Sequence, residues 1–306
     1  MYNVLVPNNK KIVVLTGATS FLGRSIAKYL LSKGFVVFGI VRPDSNNIFK
    51  LSDLEGIQIV KLDFDKVKTN DFLCVNDFEL SKTISEMKAK DYDITFLHFG
   101  WGSTLDRSNF MKQMLNVDMS MKVLEFAKIL GARRFIFAGS QAEMSESAYG
   151  LAKKQFATYA ENDLKNSKMS FIHLRIFSIY GEDDRDSSLI MTLLKSCKEN
   201  KDISLSSCNY DWNFLYIDDF VKIIYKMIEK NVKSGTYDIA SGDTRILKEY
   251  VEEAHRVLKA KNKLNFGALL DSTEKFAIPN INDIIKSIGK IKFTTFADGI
   301  KNMMKM

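Results

Sequence analysis

The chain of 306 residues is poor in the residues that build covalent and metal scaffolds. It has three Cys (Cys74, Cys197, Cys208) and three His (His98, His173, His255). Scattered thiols with no C-x-x-C pair exclude a disulfide framework and a dithiol redox motif. So few His leave little material for a metal site, and none is expected. Three Pro exclude Pro-rich linkers. Long hydrophobic runs are missing too. The first apolar run, Ile12 to Leu15, is too short for a signal core or a membrane span. No membrane partner is expected, and a cytoplasmic location fits both this and the unpaired Cys.

What is present looks like an ordinary folded protein. Hydrophobic residues make up 46% and charged residues 26%, which excludes intrinsic disorder. Lys and Arg number 44 against 37 Asp and Glu, a formal charge of +7. The excess is mostly Lys, spread along the chain, and reads as a diffuse solvated charge or, second, as a bias toward an anionic ligand. No basic stripe with interleaved aromatics appears, so no nucleic-acid partner is expected.

Strand-like and helix-like patterns alternate. Ile12–Leu15, Phe35–Val41, Gln58–Leu62, Asp93–His98, Arg134–Ala138 and Ser170–Arg175 read as strands, the first two of the buried kind. Arg24–Ser32, Phe110–Leu130 and Tyr149–Leu164 read as helices between them. Such alternation predicts an α/β fold with a doubly wound parallel sheet. After Tyr180 the pattern loosens. Ser188–Lys198, Asp218–Lys230 and Leu247–Ala260 read as helices, and Thr236–Ala240 as a further strand of the main sheet. Phe156 and Tyr159 on the third helix read as core.

The turn Gly17-Ala-Thr19-Ser20-Phe21-Leu22-Gly23 joins the first strand to the first helix. Small residues there let backbone N–H groups approach a pyrophosphate at a helix N-terminus. A plain tight turn is the competing reading. The second strand ends at Val41, where an acidic residue would select a ribose 2′-hydroxyl, and Arg42 follows. A guanidinium there can pair with a 2′-phosphate, so NADP(H) is favoured over NAD(H). Otherwise Arg42 is a solvated residue before Pro43. Asp63 either meets an adenine amino group or caps the next segment.

Tyr149 and Lys153 are four residues apart, on one face of one helix. The ammonium favours the phenolate form of Tyr149, which suits it to move a proton near neutral pH. Ser140, at the end of the fifth strand, is placed to hydrogen-bond the same substrate oxygen. Strand C-termini are where open parallel sheets place their sites. Trp101, between Gly100 and Gly102, either stacks on a sugar or base or simply packs.

With these motifs the sequence resembles the extended short-chain dehydrogenase/reductases, the NAD(P)-dependent nucleotide-sugar epimerase, dehydratase and reductase family. The similarity runs through Thr16–Gly23, Asp63, His98-Phe99-Gly100, Asn116-Val117, Phe137–Ser140, Tyr149–Lys153, Leu174-Arg175, Tyr180-Gly181 and Phe214–Asp219. It implies a Rossmann-type domain with a smaller C-terminal substrate lobe. Residues 1–177 would form the NADP(H)-binding domain, with 212–240 returning to it. Residues 178–211 and 241–306 would form the lobe that grips a nucleotide-sugar. By the same resemblance Ser140, Tyr149 and Lys153 are catalytic. Gly17, Thr19, Ser20, Phe21, Leu22, Gly23, Arg42, Asp63, Phe64, Phe99, Gly100, Lys153 and Phe177 bind the cofactor. Trp101, Gln141, Ser178 and Trp212 line the substrate, His98 supports the loop after the fourth strand, and the protein is a homodimer through the helices at Phe110–Leu130 and Tyr149–Leu164.

Departures from the family pattern narrow the activity. Ser140 is followed by Gln141-Ala142 rather than the Asp-Glu of 4,6-dehydratases, which disfavours dehydration. Tyr180–Arg185 lacks the His of the acid–base double epimerases, and Gln141 stands where they carry Cys. Tyr149 follows Ser140 by only nine positions, fewer than the family norm. Trp212-Asn213 replaces the phosphate-binding Arg, and Ser178 replaces the usual Asn. The expected activity is NADPH-dependent reduction of a nucleotide-linked keto-sugar, at carbon 4, in surface-polysaccharide sugar biosynthesis. The alternatives are a nucleotide-sugar 4-epimerase using the same Tyr149 and Lys153, or a non-catalytic dinucleotide-binding protein.

Overall fold

The computed structural model describes residues 11–64, 66, 92–271 and 277–305. Cys74 lies outside them. The central element is a seven-stranded sheet of β1 (Ile12–Thr16), β2 (Val36–Val41), β3 (Gln58–Lys61), β4 (Ile94–His98), β5 (Arg134–Ala138), β6 (Ser170–Ile176) and β10 (Gly235–Ile239). Its order is β10-β6-β5-β4-β1-β2-β3. The recorded registers from β3 through to β6 are all parallel. The chain steps outward from β1 on both sides, so the order reverses between β1 and β4. That is the doubly wound Rossmann-type arrangement predicted from the alternating pattern. β1, β2, β4 and β5 are buried along their whole length, as continuous β-branched and aromatic runs require when both faces are covered.

The helices start where short polar side chains cap them. α1 (Phe21–Ser32) is capped by Ser20, whose hydroxyl accepts from the Gly23 N–H. α2 (Phe110–Ile129) is capped by Asn109 and α3 (Ala148–Leu164) by Ser147 in the same way. α1 thus begins three residues before the predicted Arg24, because the cap lies inside the glycine-rich turn.

Two compact units divide the described chain. The first takes residues up to Glu143, then Ser147–Leu174 and Asn231–Thr236. Its core is aromatic. Parallel register sets Phe96 beside Phe135 and Phe135 beside Phe171 on adjacent strands, with ring centroids 5.5 and 6.4 Å apart. Two residues on, His98, Phe137 and His173 make a second stacked row, with both spacings 5.7 Å. The ring of Phe156 on α3 closes edge-on against Phe137 at 4.7 Å.

The second unit takes Met144–Glu146, Arg175–Lys230 and the described residues from Tyr237 onward. It contains β7 (Ser178–Tyr180), α4 (Leu189–Glu199), β8 (Ile203–Ser204), β9 (Asp211–Tyr216), α5 (Ile217–Glu229), β11 (Thr244–Ile246), α6 (Leu247–Val257), β12 (Leu264–Asn265), α7 (Asn282–Ile288) and α8 (Phe296–Met304). β9 pairs with β7 and β11, and β8 with β12. Phe214, Tyr216 and Phe296 pack around the buried Tyr180. The Tyr180 hydroxyl lies 2.0 Å from where a Cβ on Gly299 would be, so that glycine cannot be replaced without a shift. The boundaries differ from those expected. Residues 212–230 cluster with the second unit because β9 pairs there, and Arg175 to Phe177 go with it.

The aromatic rows set a stability expectation. Phe135 is fully buried between Phe96 and Phe171. Phe135→Ala is expected to cost about 3–5 kcal/mol in urea unfolding. A loss under about 1 kcal/mol would mean the rows tolerate a gap and do not hold the sheet together.

Candidate active site

The site is built at the C-terminal ends of β1, β4 and β5. Gly17 sits at φ +73°, and a Cβ there would lie 2.7 Å from the Phe99 carbonyl carbon. A Cβ on Gly23 would lie 2.2 Å from the Gly17 oxygen. Neither position has room for a side chain, so the backbone of the turn itself forms the surface. Ser20, where the fingerprint has its middle glycine, donates to the Gly17 carbonyl at 2.7 Å and accepts from Gly23 at 3.1 Å. The first turn of α1 contains no acidic residue. A tight, uncrowded helix N-terminus of this kind suits a dinucleotide pyrophosphate.

Thr16, at the end of β1, ties this turn to β4. Its hydroxyl bonds His98 Nδ1 at 2.7 Å and accepts from Gly100 N–H at 3.1 Å. His98 Nε2 meets Ser120 on α2 at 2.9 Å. Burial and the nearby Lys153 charge lower its pKa to about 3, so it stays neutral and structural. Phe99 is buried, Gly100 half-buried. The Phe64 ring packs edge-on against Phe126 in the core. Asp63 pairs with Lys66 at 3.2 Å, and Arg42 is exposed just past β2.

The loop after β4 is held by two buried amides of α2. Asn116 exchanges two hydrogen bonds with the Gly102 backbone, and Gln113 bonds the Ser103 and Asp106 carbonyls. Gln113 also accepts from the Trp101 indole at 2.9 Å. Trp101 therefore has its N–H engaged and its ring turned edge-on to Tyr149, centroids 6.2 Å apart. From the same loop the Arg107 guanidinium lies 4.7 Å from the Tyr149 ring centroid, and the Tyr149 N–H donates to the Arg107 carbonyl.

Lys153 is the most constrained group. It is buried, donates to the Ala138 carbonyl, and lies 4.2 Å from the Trp101 centroid and 4.9 Å from that of Phe137. Desolvation drives its pKa down to about 7; Arg107 adds to the fall and Glu143 opposes it. Tyr149, one turn earlier, is also buried. The turn after β5 abuts the start of α3: a Cβ on Gly150 would lie 1.9 Å from the Ala142 oxygen. Within that turn the buried Glu143 carboxylate accepts from the Ser140 N–H at 2.7 Å and bonds His173 Nε2 at 3.1 Å.

The first unit thus brings together Ser140, Tyr149, Lys153 and Trp101, all singled out by sequence. Gln141 is half-buried beside Ser140. Phe177, Ser178 and Trp212 belong to the second unit. There Phe177 is buried, Ser178 pairs with Phe214 in register, and Trp212 packs edge-on to Tyr210. Arg107, Gln113, Glu143 and His173 were not anticipated. Arg107, Gln113 and His173 reach the site through tertiary contact and carry no local mark, whereas the Ser140-x-x-Glu143 spacing is a local capping signal that could have pointed to Glu143. The described residues contain no group of His, Cys, Asp or Glu fit to hold a metal ion, and no helix long and apolar enough to cross a membrane.

A doubly wound sheet with a glycine-lined helix N-terminus and a Tyr–Lys pair beside it defines a nicotinamide-dinucleotide-dependent α/β enzyme. The particular family follows from comparison. The model of the NAD dependent epimerase/dehydratase family matches residues 13–240, and the chain belongs to that family. It is 24% identical to the CDP-abequose synthase of Salmonella muenchen, over 97% of this chain and 98% of that protein. It is 23% identical to a dTDP-4-dehydro-6-deoxyglucose reductase of Escherichia coli, over 97% of each. A solved UDP-glucuronic acid 4-epimerase from Bacillus cereus, in complex with UDP-glucuronic acid and NAD, shares the fold. Its TM-score is 0.76 at 18% identity, covering 96% of this chain and 98% of that one.

The depressed pKa of Lys153 ties stability to pH. The unfolded chain holds that proton up to the ordinary value of 10.5, whereas the folded chain releases it near 7. Between these pH values the unfolded state binds more protons, so folding becomes more favourable as pH rises. Below about 7 the cost of burying the ammonium is fully present. Against Lys153→Met, the wild type should gain in melting temperature from pH 7 to 10. Parallel curves for the two proteins would show that the charge is not buried at a cost.

Proposed function

We infer that the protein is an NADPH-dependent reductase of a nucleotide-linked 4-keto-sugar. The observation that carries this is the placement of Tyr149 and Lys153 one turn apart on α3, with the Lys153 ammonium on the Ala138 carbonyl at the end of β5. The similarity to a dTDP-4-dehydro-6-deoxyglucose reductase supports a nucleotide-sugar substrate with a keto group. Surface-polysaccharide sugar biosynthesis is the setting we assign.

The cramped Gly17–Gly23 turn and the acid-free start of α1 fit a dinucleotide. Gly17, Thr19, Ser20, Phe21, Leu22 and Gly23 would hold its pyrophosphate, with Asp63, Phe64, Phe99, Gly100 and Phe177 around the rest. When bound, the nicotinamide supplies hydride at the sugar carbon. Tyr149 gives its phenolic proton to the carbonyl oxygen as that oxygen gains charge. Lys153 and Arg107 set positive charge beside the Tyr149 ring as the phenol becomes a phenolate. Ser140 donates a hydrogen bond to the same oxygen, and Lys153 also holds the nicotinamide ribose. Trp101, Gln141, Ser178 and Trp212 are assigned to the substrate. Arg42, exposed beyond a strand end that offers no carboxylate, supports NADP(H) over NAD(H). The exposed Met111 and Leu115 on α2 and Leu151 on α3 support a homodimer formed through these helices.

A 4-epimerase would use the same residues, with the keto intermediate reduced from its other face; the shared fold with a 4-epimerase favours keeping it as the second reading. Mixing the protein with NADPH and 4-keto sugars linked to UDP, GDP, CDP and dTDP separates the two. Reduction is expected with at least one of them. Tyr149→Phe should lower turnover by about 10²–10⁴-fold while dinucleotide binding persists, and Arg42→Ala should erode the preference for NADPH over NADH. Interconversion of two nucleotide-sugars without net NADPH loss would move the assignment to the epimerase.

A further inference from the structure

One buried charge arrangement outside the expected catalytic set is at Glu143. Its side chain is 4% exposed and that of His173 8%. The carboxylate bonds His173 Nε2 and the Ser140 backbone N–H, and His173 Nδ1 lies 3.2 Å from the Thr236 hydroxyl. The space is made by Gly139. A Cβ there would fall 2.3 Å from His173 Nε2 and 2.4 Å from Glu143 Oε1. A carboxylate taken out of water needs such partners, since leaving it unpaired is costly.

We propose that Glu143, braced by His173, is the positioning residue of this site: it pins the Ser140 backbone and supplies the negative charge that faces the buried Lys153. Ser140 directly follows Gly139, so a bond to its N–H fixes the backbone from which its hydroxyl projects. The Ser140 hydroxyl accepts from the Ala142 N–H at 3.1 Å, so the turn carries a second restraint of the same kind. The groups around the Lys153 ammonium come from four elements. His98 ends β4 and stays neutral, Arg107 lies on the following loop, Glu143 on the turn after β5, and Tyr149 on α3 itself. The rings of Trp101 and Phe137 and the Ala138 carbonyl complete the surroundings. Glu143 is the negative group facing Lys153, set against Arg107 and the cost of desolvation. Removing its charge therefore makes Lys153 give up its proton at lower pH. The proposal rests on the reductase or epimerase reading for its effect on turnover, but its effect on Lys153 stands apart from any activity.

The test compares the full-length wild type with Glu143→Gln and Glu143→Asp. Lysine side chains carry 13C at Cε, and the Lys153 signal is assigned by its absence in Lys153→Met. In Glu143→Gln the Lys153 signal should titrate about one pH unit or more lower than in the wild type. In Glu143→Asp, which keeps the charge but draws it back from Ser140, the midpoint should return toward the wild-type value while turnover stays reduced. The high-pH limb of the turnover profile should move down in Glu143→Gln only. If Glu143→Gln does not fold, the paired amide variant Glu143→Gln/His173→Gln replaces it, with the same downward movement expected. An unmoved Lys153 midpoint in the neutral variant overturns the proposal, even where turnover falls. A midpoint that moves in a protein inactive on every nucleotide-sugar offered upholds the charge pairing and removes only the functional reading.

Discussion

Burying the Lys153 ammonium is the constraint on which the first unit depends. A charge in a low-dielectric interior is tolerated only where donors, acceptors and counter-charge have been arranged for it. Here one carbonyl, two aromatic faces and one carboxylate perform that task. They are supplied by three segments. Ala138 and Phe137 come from β5, Trp101 from the loop after β4, and Glu143 from the turn that follows β5. The ammonium can be placed only when all of these segments are in register, so the site reports on the integrity of the sheet beneath it.

The sheet achieves that register through aromatic rows and missing side chains. Phe96, Phe135 and Phe171 stack across three parallel strands, and His98, Phe137 and His173 repeat the row one pleat nearer the site. A slip of one residue would turn every ring to the opposite face, so this packing specifies the alignment strongly. The strand ends then bring backbone so close that Gly17, Gly23, Gly139 and Gly150 have no space for a Cβ. At Gly17 the limit is the Phe99–Gly100 backbone just past β4, and at Gly139 it is the Glu143–His173 pair. The same absence of a side chain exposes backbone in the first case and makes room for a buried carboxylate–imidazole pair in the second.

How much of this the sequence reveals follows from the range of each interaction. The strands β1, β2, β4 and β5 are legible because buried parallel strands are continuous apolar runs. The helices are legible because their period is local. Ser140, Tyr149 and Lys153 can be found because a strand end and a four-residue helical spacing are short-range features. Ser20 is read as a narrowed glycine position, whereas its hydroxyl caps α1; a cap is visible only once the helix start is known. The two- and three-residue strands β7, β8, β11 and β12 carry no period at all, and they exist through pairing with distant segments. His173 and Glu143 are thirty positions apart in sequence and meet only through the β5–β6 register.

Arg107 completes the electrostatic picture. A guanidinium keeps its charge at any pH a protein experiences, whereas Lys153 is poised to lose its own near pH 7. The two cations flank one phenol ring, with the guanidinium carbon 4.7 Å and the ammonium 5.7 Å from its centroid. The charge of the exposed Arg107 contributes to lowering the pKa of the buried Lys153. The positive field at Tyr149 is therefore shared between a permanent charge at the surface and a titrating one in the interior. Glu143 sets how much of that field the interior charge retains. In the proposed reaction, proton transfer from Tyr149 would depend on a balance among three segments that no single motif encodes.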